Sequence, residues 1–168
     1  FQDPYSSLNP RMTVGEIIKK GRAELEKAQV PDAAVDILWI VGAVTRYNRV
    51  QLSINRDIIL SEEMVQKIQE YIERRKKREP LQYILGSQYF MNIKLKTDRR
   101  ALIPRSETEI LAQQAITLIR KDYPRFSPFY LLDIGTGTGA IALSIAHSCT
   151  NVYATAVDIS ADALDSSA

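Results

Sequence analysis

The run Phe129-Tyr130-Leu131-Leu132-Asp133-Ile134-Gly135-Thr136-Gly137-Thr138-Gly139 sets three alternating glycines between an apolar strand pattern and an apolar helical pattern that starts at Ala140. No other stretch of the chain restricts the fold as much. Without a Cβ, Gly135, Gly137 and Gly139 let the backbone turn sharply and bring its N–H groups against a ligand. The helix that follows turns its positive dipole end toward the same spot, which favours an anion. The loop is a candidate nucleotide-cofactor site. Val152–Val157 is a second apolar run after the helix, so strand, helix and strand follow in the order of a βαβ unit with parallel strands.

The glycine spacing leaves the cofactor open, because Gly135, Gly137 and Ala140 also satisfy the dinucleotide fingerprint in its Gly/Ala form. Two acids discriminate. Asp133 lies two residues before the first glycine, where a dinucleotide fold usually keeps an apolar strand residue, and Asp158 follows the second apolar run. Together they resemble the S-adenosylmethionine site of a Rossmann-like methyltransferase. The resemblance puts cofactor contacts on Asp133, Gly135, Thr136, Gly137, Thr138, Gly139, Asp158 and Ile159. It implies that Asp158 accepts hydrogen bonds from both ribose hydroxyls, that the glycine loop approaches the methionine moiety and that Ile159 packs on the adenine. The rival account is a tight strand-to-helix turn with a helix-capping Asp.

Composition bounds the alternatives. At 168 residues the chain holds one domain or two small ones, on a prior of about 150 residues per domain. Its 45% apolar content suits a globular core, and a net charge of +2 is too small to imply direct nucleic-acid binding. The single Cys149 cannot form an internal disulfide, which fits a reducing compartment. No apolar run approaches the roughly 20 residues needed to span a bilayer. These features predict a cytoplasmic protein without a membrane partner. Residues 1–11 carry two prolines, adjacent serines and no periodicity, and Phe1-Gln2 resembles the pair left by a tag-protease site. They read as a vector-derived segment, with Met12 as the native start.

Helical spacing dominates residues 12–79. Thr13 with Glu16 forms a capping box ahead of Val14, Ile17, Ile18 and Leu25, and this helix runs to about Ala28. Pro31-Asp32 opens a second helix through Val35, Leu38, Trp39 and Val41, ended by the polar stretch from Tyr47 to Asn55. Ser61 opens a third, with Met64, Val65, Ile68 and Ile72 on one apolar face. The periodicity assigns Trp39 and the Met64 face to the core in preference to a ligand box. The basic run Arg74 to Arg78 fits an acidic partner or RNA, but reads better as cations that complement the helix macrodipole and stay solvated.

After Pro80 the pattern turns to period two through Tyr83, Leu85 and Tyr89, and a hairpin is expected between about Gln88 and Thr97, turning at Met91-Asn92. It reads as a hinge between modules. Glu107 to Lys121 is helical again, followed by Phe129–Ile134 as strand, Ala140–His147 as helix and Val152–Val157 as strand. His147, the only histidine, reads as an exposed or capping residue and not as a base.

Three segments carry a more specific resemblance. Arg78-Glu79-Pro80-Leu81-Gln82-Tyr83-Ile84-Leu85-Gly86, Leu102-Ile103-Pro104-Arg105-Ser106-Glu107-Thr108-Glu109 and Leu132-Asp133-Ile134-Gly135-Thr136-Gly137-Thr138-Gly139-Ala140-Ile141-Ala142 follow one another as they do in the release-factor glutamine methyltransferases. The resemblance extends from Met12 to Leu164. It implies an α/β architecture: a helical substrate-recognition domain at 12–79, a β-hairpin linker at 80–103, and at 104–168 the first part of a Rossmann-like methyltransferase domain. It further implies S-adenosylmethionine as cofactor, a peptide-chain release factor as partner, and methylation of the glutamine amide in the Gly-Gly-Gln motif. Leu102, Pro104 and Arg105 would lie beside the cofactor and substrate pocket. Ser106 departs from the proline usual there, which removes a φ restraint and no reactive group.

The family's Asn-Pro-Pro-Tyr motif, which grips the glutamine, is absent from residues 1–168. No catalytic residue and no metal ligand is therefore assigned here. The resemblance predicts an incomplete, inactive piece with two of the seven expected strands and a bare sheet edge prone to self-association. The alternatives are a non-catalytic release-factor or ribosome-binding module, and a methyltransferase for another protein or nucleic acid.

Overall fold

The computed structural model describes residues 12–123 and 127–167, so the segment assigned to vector lies outside the described residues. The chain divides into two units, the first ending at Ile84 and the second starting at Leu85.

The first unit contains α1 (Val14–Lys27), α2 (Ala33–Thr45), α3 (Arg49–Ile54) and α4 (Glu62–Lys76). The capping box of α1 is formed: Glu16 N–H donates to Thr13 Oγ1 at 3.3 Å, and Thr13 N–H to the Glu16 carboxylate at 2.8 Å. Ser61 caps α4 by accepting from Met64 N–H at 3.3 Å. The polar stretch after Tyr47 does end α2, but it also holds the unforeseen α3. A second capping box between Asn48 and Gln51, with both bonds at 2.9 Å, starts that helix, and Leu52 anchors it to the core. Six residues are too few to show periodicity, so only the cap could have signalled it.

Ile17, Leu25, Ile37, Ile40, Ile68 and Ile72 form a core with almost no solvent exposure. Gly21 lets α1 approach it closely: a Cβ there would sit 2.4 Å from Ile37 Cδ1 and 2.8 Å from Ile72 Cδ1. Gly21→Ala is therefore expected to destabilise this unit despite alanine's better helix propensity. Overpacking costs roughly 1–3 kcal/mol, against about 1 kcal/mol gained in propensity. Urea denaturation reads the net sign, and a stabilised variant would show that the two isoleucines yield.

Two sequence expectations fail in this unit. Trp39 and Met64 are not core residues; they are 48% and 36% exposed. Helix α2 is apolar on every side, so periodicity could not choose its inner face, which Ala33, Ile37, Ile40 and Val41 occupy. Met64 lies in the first turn of α4, whose buried line runs through Ile68 and Ile72. The basic run is structural, as expected, yet its arginines are engaged and not simply solvated. Arg74 grips both Glu79 carboxylate oxygens at 2.9 Å, Arg75 Nε lies 2.6 Å from Asp36 Oδ2, and Arg78 donates to the Ala28 carbonyl at 3.2 Å. The period-two reading after Pro80 is also overturned: Leu81–Leu85 is a short helix, α5. Tyr83 and Ile84 N–H both donate to the Pro80 carbonyl, and proline's fixed φ suits a first helical turn.

In the second unit β1 (Ser87–Phe90) and β2 (Ile93–Lys96) form the expected antiparallel hairpin, turning at Met91-Asn92. Met91 has φ 50, and its N–H donates to a Glu109 carboxylate oxygen at 2.7 Å. Next come α6 (Ser106–Asp122), β3 (Phe129–Ile134), α7 (Ala140–Ser148), β4 (Val152–Val157) and α8 (Ala161–Ser167). Strands β3 and β4 pair in parallel from Phe129↔Val152 to Ile134↔Val157, giving the α/β class read from the sequence. Phe129 and Leu131 pack toward Ile116 and Ile119 of α6, Ile145 of α7 and Cys149, which caps α7. The alternate residues Tyr130, Leu132 and Ile134 are 77%, 59% and 77% exposed, so one face of this pair is bare. No helix among the described residues is long and apolar enough to cross a membrane.

Candidate cofactor-binding site

Parallel pairing brings the ends of β3 and β4 side by side, and with them Asp133, the glycine loop and Asp158. The N–H groups of Gly135 and Thr136 both donate to the Val157 carbonyl, at 2.8 and 3.0 Å, which stitches the start of the loop to the end of β4. Gly135, Gly137 and Gly139 have φ values of 76°, 55° and 75°. In that left-handed region a side chain costs roughly 1–2 kcal/mol, so the glycine spacing is first a demand of backbone conformation. It is also a demand for space. A Cβ built on Gly135 or Gly137 meets nothing within 4 Å, so the loop presents bare backbone to an open volume.

The two acids brace this loop from opposite sides. Thr136 Oγ1 donates to Asp133 Oδ2 at 2.7 Å, and Ala142 N–H reaches the same oxygen at 3.3 Å, tying strand, loop and α7 together. Asp158 Oδ2 accepts from Gly137 N–H at 2.8 Å and Oδ1 from Ser160 N–H at 2.9 Å. The Ser160 and then the Gly137 backbone N–H hold the Asp158 carboxyl below its ordinary range. A depressed carboxylate contributes its stabilisation above its unfolded pKa and loses it as pH falls through the folded value, so the tie is intact at neutral pH. An ionised carboxylate offers about four acceptor positions, of which the Gly137 and Ser160 N–H groups take two, and the Ile159 N–H also favours its charged form. The remainder suits hydroxyl donors such as those of a ribose.

Ile159, beside Asp158, is fully exposed, and the Thr136 and Thr138 side chains are buried. The segment read as substrate pocket lies between β2 and α6. Leu102 is 73% exposed, Arg105 is the residue before α6, and the Pro104 carbonyl accepts from Gln88 Nε2 at 3.0 Å. The bonds among Asp133, Thr136, Gly137 and Asp158 gather the glycine-loop set into one network, whereas Pro104 is tied to β1. Sequence reasoning missed Gln88, Glu109 and Ser160. Ser160 carried a readable signal, since it also caps α8 by accepting from Ala163 N–H at 3.2 Å, whereas Gln88 and Glu109 act across long separations that no local pattern marks.

Residues 16–86 match the family model described as PrmC N-terminal domain. The chain is 35% identical over 153 residues to the release factor glutamine methyltransferase of Buchnera aphidicola subsp. Schizaphis graminum, covering 91% of this chain and 53% of that protein. The protein of the same name from Fusobacterium nucleatum subsp. nucleatum is 36% identical over 151 residues, 89% of this chain and 41% of the relative. The chain is similar along most of its length to release factor glutamine methyltransferases. A third relative of that name, from Thermodesulfovibrio yellowstonii, is 36% identical over 151 residues, covering 90% of this chain and 50% of its own length. The chain spans about half the length of the curated relatives it matches. The PrmC N-terminal domain match takes in α1 to α5 from Glu16 onward, and the similarity to the release factor glutamine methyltransferases extends over most of the chain.

Proposed function

We propose that the protein is an S-adenosylmethionine-dependent methyltransferase that acts on the side-chain amide nitrogen of the glutamine in the Gly-Gly-Gln motif of peptide-chain release factors, in translation termination. The observation that carries this reading is the loop from Gly135 to Gly139: left-handed glycines open to solvent space, beside an Asp158 carboxylate with acceptor capacity left over. Similarity to proteins named for this reaction supports the choice of substrate.

When bound, the cofactor would supply an electrophilic sulfonium methyl group for the amide nitrogen. The chain's own residues bind and orient. Gly135 and Gly137 would admit the ligand against the backbone, Asp158 would accept from the ribose, and Ile159 would cover the adenine. Leu102, Pro104 and Arg105 line the substrate side. An amide nitrogen is a weak nucleophile because its lone pair is delocalised, so catalysis rests on aiming it. In the family that falls to Asn-Pro-Pro-Tyr, and none of residues 1–168 is assigned to it.

In the full-length protein, Asp158→Ala is expected to weaken S-adenosylmethionine binding by about 2–4 kcal/mol. Two charge-assisted hydrogen bonds are lost, each worth roughly 1.5–3 kcal/mol before water compensates. Isothermal titration calorimetry measures this. An unchanged dissociation constant would leave the turn-and-cap account of Asp158 standing. Methyl-labelled cofactor with purified release factor tests the substrate, and label anywhere other than the Gly-Gly-Gln glutamine would redirect the assignment.

A further inference from the structure

Helix α2 has the wrong composition for a surface helix. Of its 13 residues only Asp36 is charged, and that carboxylate is buried against Arg75. A helix apolar on all sides is ordinarily covered on all sides. Here Val35 is 42% and Trp39 48% exposed, and Ala43 continues the same stripe at i+8. The Arg49 guanidinium stands 5.6 Å from the centre of the Trp39 ring, and exposed Arg46 closes the stripe at the helix C-terminus. Neither arginine forms an ion pair among the described residues.

We propose that this face of α2 docks a protein segment that presents an apolar ridge flanked by carboxylates, in the manner of an acidic amphipathic helix. Tryptophan and arginine are the residue types that dominate interface energetics, and here they occur together on an apolar strip. The strip offers aliphatic contact and two uncompensated cations, so its complement is apolar and acidic. Single-stranded RNA would call for a basic groove interleaved with several stacking rings, and α2 has one. A second copy of the chain fits poorly too, since the exposed stripe has no carboxylate to receive its partner's Arg46 and Arg49. This docking role is independent of the proposed methyl transfer.

Trp39 is the chain's only tryptophan, so the site reports on itself. The chain is titrated with a Trp-free synthetic helix of roughly 18 residues, bearing leucines at i, i+3, i+4 and i+7 with glutamates beside them. Trp39 emission is expected to shift to the blue and saturate, and the same peptide with lysines for glutamates should bind about tenfold more weakly or worse. Arg46→Glu with Arg49→Glu should reverse that preference, with circular dichroism confirming that the helices persist. Arg49→Gln, which keeps length and removes charge, should narrow it severalfold and serves if the double variant unfolds. No emission shift with either peptide, equal affinity for both, a stronger response to polyuridylic acid, or dimerisation in sedimentation that buries Trp39 would each overturn the proposal.

Discussion

Gly137→Val is expected to remove detectable S-adenosylmethionine binding from the protein while leaving the helical unit untouched. Gly137 has φ 55, where a β-branched residue is a conformational outlier, so the loop pays roughly 1–2 kcal/mol or more in strain. Strain alone would leave a weakened site. The larger effect comes from position: a Cβ at 137 meets no protein atom within 4 Å, so the added methyl groups enter the open volume assigned to the ligand. The Gly137 N–H also holds Asp158 Oδ2 at 2.8 Å, and a distorted loop would release the carboxylate from that tie. Gly137→Ala separates the contributions, because it carries the strain with a single extra carbon and should bind weakly. Calorimetry gives both affinities, and amide exchange over residues 14–76 should match the parent. Parental affinity in the valine variant would show that the cofactor does not lie over this loop.

The largest stability effect is expected at Asp36→Ala, which should lower the unfolding free energy of the helical unit by about 3 kcal/mol or more. Asp36 and Arg75 are 8% and 16% exposed at their side chains and lie 2.6 Å apart. Removing the carboxylate leaves a guanidinium facing an apolar core with one remaining bond, from Nη1 to the Glu79 carbonyl at 3.0 Å. That orphaned charge, more than the loss of attraction, is what destabilises. Replacing both partners, Asp36→Leu with Arg75→Met, should recover most of the loss, because a buried pair exchanged for apolar groups of similar size is often neutral. Urea denaturation of the two variants measures the difference. If the single variant loses less than about 1 kcal/mol, water reaches Arg75 and the pair behaves as a surface contact.

Much of this molecule rests on interactions only a few residues long, and those were legible. Thr13 and Glu16 cap α1 as their spacing announces, and Met91-Asn92 turns the hairpin. β3 and β4 begin and end where alternating apolar residues met glycine and aspartate. The adjacency of Asp133, the glycines and Asp158 followed from the same logic, since parallel strands joined by one helix must end side by side. The length of α2 was equally plain, but its orientation was not: with apolar residues on every side, only packing against α1 and α4 put Ile37 inside and Trp39 outside. The basic run drew the wrong environment for the same reason. Its arginines find Asp36, Glu79 and Ala28 up to 50 positions away, and no local pattern encodes which carboxylate or carbonyl will be there. Local propensity, caps and glycine conformation therefore determined which elements form and where the loop lies. The tertiary structure decided which faces are buried, which charges are paired and how Asp158 is held, because each depends on free energy exchanged between residues distant in sequence.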